Sequence, residues 1–187
     1  MSLQFEHTWD HALVAAVVEQ AKRSCPECSL GRTAIQKLVY FLQVLEVPMS
    51  FNFRIHHFGP YCDDLVSTLD WLQADNIVED KSNQPKYSDF STASNWDELK
   101  GSYSDRLDLH QPTIETIVSA MGSMDPRTLE LIATLHYSYR WIHARGKPGP
   151  WKAESIARFK QIKDNKFDDS EIDHRYDILA SAELVNA

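Results

Sequence analysis

The chain has 187 residues, 43% of them apolar and 25% charged, the proportions of a folded domain rather than a disordered segment. Its formal net charge of −8 argues against broad, salt-driven adhesion to nucleic acid, which needs clustered Lys and Arg. No apolar run approaches the ~20 residues of a membrane helix. Met1 to Trp9 lacks the basic and apolar stretches of a secretory signal, so a cytoplasmic protein without membrane contact is expected.

In chain order, Leu13, Val14, Val17 and Val18 mark one face of a helix over 10–23, and Pro26 blocks its continuation. Ile35, Leu38, Val39, Leu42 and Leu45 predict a second helix from Thr33 to about Glu46, ending before Pro48. Phe51, Phe53 and Ile55 alternate with Asn52, Arg54 and His56, the pattern of a half-buried strand, and Gly59-Pro60 turns the chain. A third helix begins near Tyr61, with Asp63 and Asp64 in its first turn and Leu65, Val66, Leu69 and Leu72 as its apolar stripe. Ile77-Val78 and Tyr87 to Phe90 then flank a polar turn as a hairpin.

Residues 88–109 are rich in Ser, Asp and Asn and read as a long connection with one helical turn around Trp96 to Leu99. Pro112 opens a helix that Gly122 ends, and Asp125-Pro126 caps a long helix running to Ala144. Two further helices are predicted over about 152–163 and 171–185, after the break at Lys147-Pro148-Gly149-Pro150. The fold class expected is mainly α with a small β component (α+β). A winged-helix-like lobe spans 1–90, a connection 91–110 and a helical lobe 111–187, the two lobes packed together.

Chemistry-bearing residues are sparse. Three cysteines form no framework, which fits a reducing compartment. His7, His11, Cys25 and Cys28 are zinc-binding types, but a straight helix over 10–23 separates the two pairs by ~20 Å, so no metal is expected. Cys25-Pro26-Glu27-Cys28 lacks the βαβ surroundings of a redox motif and reads as two cysteines in a turn. Cys62 reads as structural. There is no nucleophile elbow and no glycine-rich phosphate loop, so no catalytic residue and no cofactor are assigned.

In a winged helix the third helix enters the major groove. Here residues 61–75 carry Asp63, Asp64, Asp70 and Asp75 without one Lys or Arg, and residues 1–90 hold seven Lys and Arg against twelve Asp and Glu. One segment reverses the balance: Arg140, Arg145, Lys147, Lys152, Arg158, Lys160, Lys163 and Lys166 lie among Trp141, His143 and Trp151. Basic residues interleaved with aromatics can grip nucleic acid or an acidic partner. The plainer alternative is a set of solvated helix faces.

The run Ile35-Gln36-Lys37-Leu38-Val39-Tyr40-Phe41, and His57-Phe58-Gly59-Pro60-Tyr61 followed by Leu65, Leu69, Leu72 and Ile77, resemble the YwgA-like proteins and the SocA-like, or Panacea, phage-associated domains. Tyr61 stands where Panacea members carry a small aliphatic residue and is closer to the YwgA side. The Panacea resemblance implies a toxin-neutralising or adaptor role through protein contacts, and neither family brings catalytic residues. Lys37, Tyr40, His57, Gly59, Pro60 and Tyr61 are therefore the candidate contact or structural residues. The function expected is a non-enzymatic protein-interaction module, with a nucleic-acid-binding regulator using Arg140, Arg145, Lys147 and Lys152 as the alternative.

Overall fold

The computed structural model describes residues 6–84, 86–146 and 149–186, so Lys147 lies outside the described residues. Among these it contains eight helices and four short strands, and the expectation of a mainly α chain with a small β component holds. The chain divides into two compact units, Met1–Phe53 with Cys62–Met124, and Arg54–Tyr61 with Asp125–Ala187.

The first unit is built on α1 (Trp9–Ser24). The chain between Ala12 and Val18 is buried without interruption. The middle of the helix is therefore apolar on all sides rather than on the one face its stripe suggests, as befits an element surrounded by neighbours. Those neighbours include α2 (Arg32–Val44), α3 (Asp63–Ala74), α4 (Trp96–Ser102), α5 (Ser104–Met121) and the strand β4 (Phe90–Thr92). Strands β3 (Val78–Asp80) and β4 (Phe90–Thr92) pair antiparallel, with Val78 opposite Thr92. Asp89 secures this hairpin. Its carboxylate accepts from Lys22 Nζ at 2.6 Å and from the Leu30 N–H at 2.9 Å.

Two expectations change in this unit. The stretch read as a connection holds β4, α4 and the first turns of α5, because Trp96, Leu99 and Leu107 are buried despite their polar surroundings. Pro112 does not open a helix; it lies inside α5. A proline there removes one backbone hydrogen bond, a loss that the burial of Leu107, Ile114, Ile117 and Val118 on both sides of it offsets.

The second unit combines the hairpin β1 (Arg54–His56) and β2 (Gly59–Tyr61) with α6 (Pro126–His143), α7 (Trp151–Lys163) and α8 (Asp169–Ser181). Strand β1 pairs with β2, not with β3 or β4, in the register Arg54 to Tyr61 and His56 to Gly59. The reversal falls on His57-Phe58, and Gly59-Pro60 belongs to the returning strand. Gly59 takes φ +91°, a backbone region that side-chain-bearing residues rarely adopt. Helix α6 begins as expected, its Asp125 side chain accepting from the Arg127 and Thr128 amides with Pro126 in the first turn. Helix α6 packs on α7, α8 and β2, with Phe159, Ile172 and Tyr176 fully buried.

Candidate functional site

The six motif residues fall in different units. Lys37 and Tyr40, each 1% exposed, lie inside the first; the Tyr40 ring meets Phe53 edge-on at 5.3 Å. Beside Lys37, Gln36 does what the apolar stripe of α2 did not announce. Its side-chain amide donates to the Cys62 carbonyl at 2.8 Å and accepts from the Cys62 N–H at 2.9 Å. It thereby fixes the residue that starts α3. The only signal in the sequence is a polar residue inside an apolar run. Cys62 is buried and free, in keeping with a structural role.

In the second unit, Gly59 and Pro60 are buried while His57 and Phe58 point outward, Phe58 with 52% of its surface exposed. The turn is braced from below. Lys163 Nζ donates to the His57 carbonyl at 2.6 Å and pairs with Glu130 at 2.8 Å. Both side chains of that ion pair are almost fully buried. Lys166 also reaches Glu130, at 2.7 Å, and passes 5.5 Å above the Phe58 ring. Burial pushes the Glu130 carboxyl up, but the hydrogen bonds and charges of Lys163 and Lys166 outweigh it and hold the group below its ordinary value. The His56 and Tyr61 rings lie 5.0 Å apart across the strand pair. What the motif presents to solvent is thus an aromatic tip on a stiff turn.

The zinc-type residues do not assemble. Cys25 and Cys28 are joined in a disulfide, which replaces the expectation of two reduced thiols in a turn and leaves neither sulfur as a thiolate ligand. His7 and His11 lie at the other end of α1, their rings 5.5 Å apart. His7 Nε2 stands 3.3 Å from Asp75 Oδ2, and His11 Nδ1 accepts from the Thr8 N–H at 3.1 Å, closing the helix cap. Burial first, then the charge of His7, lowers the His11 pKa. His7 and Asp75 open on a cleft of about 810 Å³ whose lining includes Glu6, Glu98 and Tyr103 and, among the described residues, no Lys or Arg. Among the described residues, no three His, Cys, Asp or Glu side chains are grouped to hold a metal.

The outward side of α3 carries Asp63, Asp64, Asp70 and Trp71, the last 44% exposed. The basic segment is largely matched by carboxylates of its own unit. Lys152 pairs with Asp173 and Asp177 at 2.9 and 2.6 Å, and Lys160 with Asp169 at 2.7 Å. Arg145 stacks instead on Trp141, its Cζ 4.1 Å from the ring centroid, and Arg140 is exposed.

Fold and site together define a mainly helical chain with a braced aromatic hairpin, and no helix among the described residues is long and apolar enough to cross a membrane. The chain is similar to the uncharacterized protein YwgA of Bacillus subtilis (strain 168), 26% identical over 109 residues, or 58% of this chain. The resemblance to YwgA-like proteins read from the motifs is therefore real. The match takes in 64% of that protein's length, less than two thirds of it. No protein-family model matches the chain.

Proposed function

We propose that this chain is a non-enzymatic protein-interaction module, an adaptor or antitoxin acting in the cytoplasm in a toxin–antitoxin or phage-related setting. The observation that carries the reading is Phe58: a phenylalanine 52% exposed, on a turn whose backbone is tied down by a buried ion pair. Leaving about half of an aromatic side chain in water forgoes roughly 1 kcal/mol of burial, and a pre-stiffened turn loses little entropy when it docks. Aromatic anchors of this kind dominate protein interfaces.

The resemblance to Panacea domains supports the antitoxin form, which acts through protein contacts. The acidic side of α3 fits that reading, because it repels phosphate. So do the carboxylates that neutralise Lys152 and Lys160, since matched cations release few counterions on meeting nucleic acid.

The test is co-purification from native lysate, with and without nuclease, comparing the natural chain with Phe58→Asp. A stoichiometric protein that survives nuclease and is lost with Phe58→Asp is the expected result. Capture that collapses on nuclease treatment would replace this reading with the nucleic-acid-binding alternative.

A further inference from the structure

The basic segment contains two kinds of cation. Lys152, Lys160, Lys163 and Lys166 each face a carboxylate of the same unit. Arg145 and Arg158 do not: among the described residues, neither forms an ion pair with a carboxylate, and both lie on the ring of Trp141. Their Cζ atoms stand 4.1 and 3.6 Å from its centroid. Two planar guanidinium groups this close to one centroid would overlap on a single face, so they occupy opposite faces, and the indole is sandwiched between them.

Two like charges held on one ring, without a counter-ion, repel each other. Burial first, and also the charge of Arg145, lowers the Arg158 pKa from its usual value, against an opposing pull from Tyr137. The arrangement nonetheless fixes the two groups so that less side-chain freedom is lost when they bind. From Leu131 to Gly146 the chain carries no acidic residue at all, and on α7 the carboxylate one turn before Arg158 is Glu154. Trp141 is 38% exposed, yet both its faces are occupied. It cannot stack a nucleobase, which is how aromatic residues in single-strand binders contribute. What remains to recognise an anion is the guanidinium donors of exposed Arg145 and of half-buried Arg158, whose Nε is buried without a hydrogen-bond partner, and such donors match a carboxylate.

We propose that the Arg145–Trp141–Arg158 sandwich is a docking site for an acidic polypeptide segment of a partner protein, each guanidinium donating to one Asp or Glu carboxylate. This rests on the reading of the chain as a protein-interaction module and adds the chemistry of what it recognises.

The experiment is fluorescence anisotropy of a labelled poly-glutamate peptide against the full chain. A Ser/Gly peptide and a single-stranded oligonucleotide of matching charge serve as comparisons. The peptide is expected to bind in preference to both. Binding is expected to weaken by about tenfold or more in Arg145→Gln/Arg158→Gln, from the loss of charge-assisted hydrogen bonds, and to persist in Lys160→Gln. Arg145 is exposed, so Arg145→Gln alone keeps the test open if the double variant fails to fold. Poly-glutamate binding no tighter than Ser/Gly, or unmoved by the arginine substitutions, or weaker than the oligonucleotide, would overturn the proposal. Phe58→Asp in the same assay separates the two readings. A variant that keeps poly-glutamate binding while losing its lysate partner shows two independent surfaces and supports the sandwich. If Phe58→Asp abolishes poly-glutamate binding as well, the sandwich is not the site.

Discussion

His136, 2% exposed on α6, shows how one interior residue ties stability to acidity. Burial, with the charge of Arg140 adding to it, lowers its pKa to about 4, against a pull upward from the backbone of Leu184. The folded chain therefore keeps the imidazole neutral where the unfolded chain takes up a proton. The stabilisation is complete above the unfolded value near 6.5 and drains away as pH falls from there towards 4, by about 3 kcal/mol in all. Denaturant titrations across that range should record the loss, and His136→Met should flatten it. Glu130 acts in a lower window, because its depressed pKa preserves stability until pH falls through the acid side of the carboxylate range. Glu130→Gln strands the buried Lys163 ammonium, and a loss of about 3–5 kcal/mol in equilibrium unfolding is expected. A Lys163→Met, Glu130→Leu pair should recover much of it, since a well-packed apolar replacement removes both charges together.

At the scale of the element, α5 carries a removable cost. Pro112 is exposed and sits within the helix, so Pro112→Ala is expected to raise the thermal midpoint by the equivalent of about 1–3 kcal/mol. The Cys25–Cys28 bridge closes a loop of sequence separation 3, for which the chain-entropy account allows about 2 kcal/mol or less; Cys28→Ser or a reductant should lower the midpoint only modestly. The helices with clear punctuation were legible in the sequence. Asp125-Pro126 announced α6, and Pro26 and Pro48 closed α1 and α2 near the right residues. The start of α5 was hidden because its first turns carry Ser104, Asp105, Arg106 and Asp108 on the solvent side, and Pro112 looked like a beginning. The partner of β1 was hidden because strands of three residues carry too few alternations to choose one neighbour over another. Of the site, a chain reversal close to Gly59-Pro60 was readable from its residues, although it falls on His57-Phe58 and Gly59-Pro60 continues as strand. Its brace was not, since Lys163 and Glu130 lie far along the chain and look like surface charges in sequence. The disulfide was equally out of reach, because spacing alone does not say whether two cysteines are bonded.

For the whole molecule, the formal charge of −8 hides a contrast between an acidic α3 and an α6 whose second half carries no carboxylate. Pull-downs at rising salt should weaken a partner held by Arg145 and Arg158 and spare one held by Phe58, since charge contacts are screened and apolar ones are not. The second unit is also not a continuous stretch of chain: residues 54–61 belong to it while both flanks belong to the first. A fragment of residues 125–187 would leave Lys163 without the His57 carbonyl and α6 without β2. Such a fragment is expected to give poorly dispersed amide spectra until a peptide of residues 54–61 is supplied. The gene therefore has no clean seam at codon 125. Recombination cannot lift the C-terminal portion out as a cassette, and any lineage that shortens or shuffles this protein must keep eight codons from its middle in step with its end.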